Sequence, residues 1–105
     1  MAVIDISQKL GMTDKSTVKI DEEYEFEVDC GAETMLLAEQ KFREAKGVED
    51  LYNLLVLFLK EEAVKIIKEK NYKVSQLNMI VVAIMAQVNE VSYEEMEKRF
   101  RELIG

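Results

Sequence analysis

The segment at residues 77–91, LNMIVVAIMAQVNEV, has almost no polar side. At about 100° per residue, Leu77, Ile80, Val81, Ile84, Val88 and Val91 share one helical face, while Met79, Val82, Ala83 and Met85 make most of the remaining circumference apolar. A helix that is apolar all round has to be covered all round. The chain is therefore expected to fold around this helix, with Ser75 placed to cap its start. The run MIVVAIMA is less than half the roughly 20 residues that a membrane-spanning helix requires, so other parts of the protein must supply the cover.

Three further segments read as helices. After Gly31, AETMLLAEQKFREAKG repeats apolar residues at Met35, Ala38, Phe42 and Ala45, with Glu33 early, Lys46 late and Gly47 as the expected stop. In LYNLLVLFLKEEAVKII, Leu51, Leu54, Leu55, Phe58 and Leu59 form one stripe, and Val56 and Leu57 lie off it. Beyond Lys60, Glu61 and Glu62 the apolar positions become Ala63, Val64, Ile66 and Ile67, centred about a third of a turn away from the first stripe. Either the helix breaks or bends near Lys60, or its halves face different neighbours; Lys68, Lys70 and Asn71 suit its end. In VSYEEMEKRF, Ser92 stands three residues before Glu95, the spacing of a capping box. Tyr93, Met96, Phe100, Leu103 and Ile104 then make one stripe, with Glu94, Lys98, Arg101 and Glu102 facing water.

STVKIDEEYEFEVDC is the one clear strand signal. Val18 and Ile20, then Tyr24, Phe26, Val28 and Cys30, alternate with charged residues, which puts one face on a core and the other in water. The intervening DEE lacks glycine, so the segment is either a tight hairpin or one long bent strand. A two-stranded ribbon alone is marginal in water and has to pack on helices or pair with another chain. Residues 1–15 are weakly patterned; Val3, Ile4, Ile6 and Leu10 fit a short strand or a helical turn equally well. The expected fold is α+β and mostly α, a single domain over 1–105. It comprises a weakly ordered N-terminal segment (1–15), an N-terminal β-ribbon or hairpin (16–30) and a helical part (32–104) of about four helices.

Chemistry is scarce. Of 105 residues, none is histidine and one is cysteine, which removes imidazole bases, Ser–His and Cys–His pairs, thiolate zinc sites and intramolecular disulfides. There is no phosphate-binding glycine motif. The acidic run DEEYEFEVD is either a metal-binding edge or the solvated face of the ribbon; apolar residues at alternate positions favour the second, since a calcium loop needs closely repeated oxygens. Cys30, beside acids that disfavour a thiolate, is expected to be a small buried residue rather than a nucleophile. The chain is thus read as a non-enzyme with no cofactor and no metal. The net charge of −7 argues against nucleic acid and anionic membrane as partners. Without a secretory leader in MAVIDISQKLG, and with a single cysteine, a cytoplasmic location is expected.

With 49% hydrophobic residues, the chain carries more apolar helical surface than a core of this size readily covers, and such surplus marks a partner or oligomer interface. Leu54, Val56, Leu57 and Phe58, with Met79, Val82 and Met85, are the expected partner-binding residues; methionine suits surfaces that adapt to a partner. A compact bundle around residues 77–91 is the alternative destination for the same surface.

The order of parts also resembles a family. The acidic ribbon VKIDEEYEFEVD, the Leu-rich helix with a charged interruption LLVLFLKEEAVKIIKEKN, the hydrophobic helix LNMIVVAIMAQV and the amphipathic end VSYEEMEKRF are similar to the small tail assembly chaperones of long-tailed phages and prophages of Gram-positive bacteria. The likeness spans residues 16–104 and is one of pattern and length. It implies a protein that coats the apolar, largely helical tape-measure protein in the bacterial cytoplasm until tail tube protein displaces it; self-association as a homo-oligomer is expected as well. In many relatives a frameshift extends the short form. A structural head–tail or tail component, or a small helical adaptor or regulatory protein acting as a dimer, would share these features.

Overall fold

The computed structural model describes residues 2–11 and 16–104. Its elements run α1 (Ser7–Gly11), β1 (Thr17–Lys19), β2 (Glu25–Glu27), α2 (Ala32–Glu44), α3 (Val48–Glu69), α4 (Val74–Asn89) and α5 (Tyr93–Ile104). The fold is α+β and mostly α, with four helices after the ribbon and one short helix before it. Residues 12–15 of the N-terminal segment, and the side chains of Leu103 and Ile104 expected on the α5 stripe, lie outside the described residues.

The ribbon is a hairpin. β1 and β2 pair antiparallel with Thr17 opposite Glu27, Val18 opposite Phe26 and Lys19 opposite Glu25. The turn dispenses with glycine because Asp21 replaces it: its Oδ1 accepts the amides of Glu23 and Tyr24 at 2.8 and 2.9 Å, the side-chain turn for which aspartate is suited. Asp21 also ion-pairs with Lys70 at the end of α3, and the Lys70 ammonium lies 5.0 Å from the centre of the Tyr24 ring. Val18 and Val28 are buried against the helices, as the period-two pattern requires.

α4 lies in the middle and meets α3, α5 and β1. Leu77, Ile80, Val81, Val82, Ile84 and Ala86 are buried along it. The main core joins Leu77, Ile80, Val81 and Ile84 to Leu54, Leu55, Phe58, Val64 and Ile67 of α3, Ala38 of α2 and the ribbon valines. Each valine, leucine, isoleucine or phenylalanine among them contributes roughly 1.5–3 kcal/mol on burial. A smaller cluster, Val82, Ala86 and Met96, fixes α5, and an edge-on contact of Phe42 with Phe100, 5.3 Å between ring centres, ties α5 to α2. Glu90, left-handed at φ 55°, ends α4; the Val91 amide returns to Ala86 O at 3.1 Å, and α5 departs at 111°. No single helix among the described residues is long and apolar enough to cross a membrane.

α3 breaks at Lys60, whose φ of 75° and ψ of 165° are not helical. The break is a reversal rather than a gentle bend. In one straight helix Tyr52 and Lys68 would stand about 24 Å apart along the axis, yet the Lys68 ammonium lies 5.0 Å from the Tyr52 ring centre. The two arms, 48–59 and 61–69, therefore fold toward one another. The change of apolar phase is accommodated in this way: both stripes face the same core from different directions. The Phe58 carbonyl, deprived of its helical donor, accepts the Asp29 amide at 2.9 Å.

Several local expectations are corrected. α2 ends at Glu44 with Ala45 as its cap, and Gly47 instead precedes α3 in an extended conformation. α4 begins at Val74, so Ser75 lies inside its first turn; the terminus is closed by Gln76 Oε1 accepting the Lys73 amide at 2.9 Å. Of the expected capping box on α5, the Glu95 amide does donate to Ser92 Oγ at 3.1 Å, while the Glu95 carboxylate pairs with Arg99. Cys30 is exposed: β2 ends at Glu27, and past Val28 the chain turns toward α2, so the alternation that would have buried Cys30 stops short of it.

Candidate functional site

The α3 reversal opens a groove of about 760 Å³ between β2 and the second arm of α3. Its floor is apolar: Phe26 and Val28 from β2 and its extension, Phe58 and Leu59 from the end of the first arm, Ala63 and Ile66 from the second. The strand's alternation supplies one wall and the helix's i, i+3 spacing the other. The rim carries five carboxylates, Glu25, Glu27, Asp29, Glu61 and Glu62, against one ammonium, Lys60.

Two of these acids have structural duties. Asp29 accepts the Gly31 amide and the Thr34 hydroxyl, both at 2.9 Å, and so fixes the start of α2. Glu25 accepts the Thr17 hydroxyl at 2.7 Å across the ribbon. Glu61 and Glu62 are exposed and sit in the first turn of the second arm, where the helix dipole favours negative charge. Among the described residues no three cysteine, aspartate or glutamate side chains converge as metal ligands.

The displaced ionisations lie elsewhere. Lys70 holds the Asp21 carboxyl below its usual range, helped by the amides of Glu23 and Tyr24, and Asp21 raises the Lys70 ammonium in return. The Ser7 hydroxyl and amide lower Asp5, and burial, followed by Glu97 and Glu94, raises Tyr93. None of these groups lines the groove.

The residues expected to meet a partner do not form one surface. Leu54, Phe58 and Val82 are buried, and of these Phe58 forms part of the groove floor. Val56 and Leu57 are half-buried against the main core, and Met85 bridges the two clusters. Met79 is 55% exposed and borders a separate recess of about 240 Å³ with Ile20 and Tyr72. The surplus apolar surface is therefore smaller on α3 and α4 than their composition implies. Some of it lies instead on α2, where Leu36 and Leu37 are 68% and 51% exposed. Their position off the Met35–Ala38–Phe42 stripe was the available signal. No protein-family model, curated protein or solved structure matches the chain.

Proposed function

We propose that the protein is a non-enzymatic tail assembly chaperone of a phage or prophage, acting in the bacterial cytoplasm on apolar helical segments of a tape-measure protein. The observation that carries this reading is the groove at the α3 reversal. An apolar floor between a strand and a helix accepts the apolar stripe of a helical client, and an acidic rim favours clients that flank their apolar residues with lysine or arginine. The absence of histidine and the single exposed cysteine leave few groups for catalysis, and the order of ribbon and helices resembles that of the family. Many copies along one long client would give avidity from individually weak sites, and release to tail tube protein is then easy.

The test is capture of the tagged protein from source cells during prophage induction, with bound proteins identified by mass spectrometry. One very long, helix-rich polypeptide carrying many copies of the chain is the expected result. A small globular partner at equal stoichiometry would overturn the reading in favour of an adaptor, and recovery in assembled particles would overturn it in favour of a structural component. Within the expected result, Glu61→Lys with Glu62→Lys weakens capture and reduces its dependence on salt, because both acids border the groove and are exposed.

A further inference from the structure

The opposite edge of the ribbon carries a second, unrelated groove. In the hairpin, the Val28 amide donates to Ser16 O at 2.9 Å and the Ile20 amide to Tyr24 O at 3.1 Å. Ser16, Val18 and Ile20 thus direct their main-chain groups at β2, and Thr17 and Lys19 direct theirs outward. The outward edge of β1 forms one wall of a groove of about 580 Å³ whose other wall is Ala83 and Ala86 of α4 with Val91 and Tyr93. The Thr17 carbonyl there accepts a bond from Gln87 Nε2 at 3.0 Å, so a side-chain amide occupies the position of a neighbouring strand's N–H.

The same chain holds a segment suited to that edge. Residues 2–6, AVIDI, have no regular structure, and Val3, Ile4 and Ile6 are 84%, 88% and 49% exposed. β-branched residues favour strands, and as a strand the segment alternates Ala2, Ile4 and Ile6 on one face with Val3 and Asp5 on the other. With Ile4 and Ile6 on the side of Val18 they meet α4, and Asp5 shares a face with Lys19, its charge complement.

We propose that residues 2–6 of one copy add as a third strand to the outward edge of β1 in a second copy, and that two copies exchange these arms reciprocally. Area favours exchange over a single contact. Ile4 and Ile6, the residues turned toward α4, present roughly 250 Å² per arm, so two arms with their matching grooves cover on the order of 1,000 Å², about what a specific interface requires, while one arm alone covers half of that. Gln87 swings aside as the incoming amide takes the Thr17 carbonyl. This pairing uses neither the groove at the α3 reversal nor the client-binding reading.

Sedimentation velocity on the full chain tests it, with Lys19→Pro and Ile4→Asp as variants. Proline at position 19 removes an outward amide while leaving every bond to β2, and edge strands accept it; circular dichroism of each variant checks that the fold is retained. The full chain is expected to be dimeric, and each variant to raise the dissociation constant about tenfold or more. Mixing the two variants is expected to give a heterodimer tighter than either variant alone but weaker than the full-chain dimer, since only one of its two contacts, the Lys19→Pro arm on the Ile4→Asp edge, is intact. A full chain that is monomeric, or a dimer that survives either variant, overturns the proposal.

Discussion

α3 and α4 look alike in the sequence, two long apolar segments in tandem, but the molecule treats them differently. α4 runs 16 residues without interruption because its apolar side chains are distributed around the axis, and neighbours on several sides cover them. α3 carries two stripes that differ in phase, and no straight helix could bring both to one core. The chain answers by reversing at Lys60, in a backbone region that only glycine occupies without strain. Apolar content alone therefore did not say where the surface would go; the phase of the pattern decided between a straight buried rod and a folded pair of arms.

The largest expected effect is in the straight helix. Leu77 is fully buried, and Leu77→Ala should cost roughly 2–5 kcal/mol in urea unfolding. Leu36→Ala on the exposed side of α2 should stay within about 0.5 kcal/mol; equal losses at the two positions would mean that burial is not divided as described. Lys60→Gly sharpens the contrast from the other side. It should stabilise the protein by about 1 kcal/mol, since relief of strain worth roughly 1–3 kcal/mol is partly offset by the unfolded-state entropy that glycine adds. A lower melting temperature for Lys60→Gly would mean that α3 is continuous. Ser92→Ala should cost about 1 kcal/mol through loss of the cap on α5.

The smallest effect concerns the ribbon's attachment to the end of α3. The folded carboxyl of Asp21 lies below its ordinary value, so its contribution is complete above that value and is lost as pH falls through the folded one. Lys70 is raised, so its contribution is complete below the ordinary lysine value and is lost as pH rises through the folded one. Stability from the pair is thus level across neutral pH and declines at both extremes. Asp21→Ala should lower the melting temperature more than Asp21→Asn, because asparagine keeps an oxygen for the Glu23 and Tyr24 amides.

Much of this architecture was legible from periodicity: the ribbon's inward faces, four helices after it, and an interruption at Lys60. Less legible were features that depend on a residue's partner. Asp21 could be read as one more acid, and only its reach to two amides makes it the turn residue. Gly47 and Ser75 were plausible stop and cap residues, but Ala45 and the Lys73–Gln76 pair took those roles because packing set where α2 ended and α4 began. The candidate groove was half visible, since Phe58 and the acids were noted separately. That they would share one opening depends on the reversal of α3, whose direction helical spacing does not encode. Val82 was absorbed because Met96 of α5 joins it, and Leu54 because it enters the main core shared by α2, α3 and α4; a helix read in isolation reveals neither.

The bond from Gln87 to Thr17 joins positions 70 residues apart, and it bears on the order of folding. Helices linked by short connections can dock through local contacts, whereas distant pairings wait for the intervening chain to be ordered. The ribbon, whose rear face needs α3 and whose outer edge is held from α4, is thus the last element to become secure and the first to loosen. Amide exchange at Val18 and Phe26 should outpace that at Ile80 and Ile84, so that the face proposed to recruit a second copy is also the one the monomer holds least firmly.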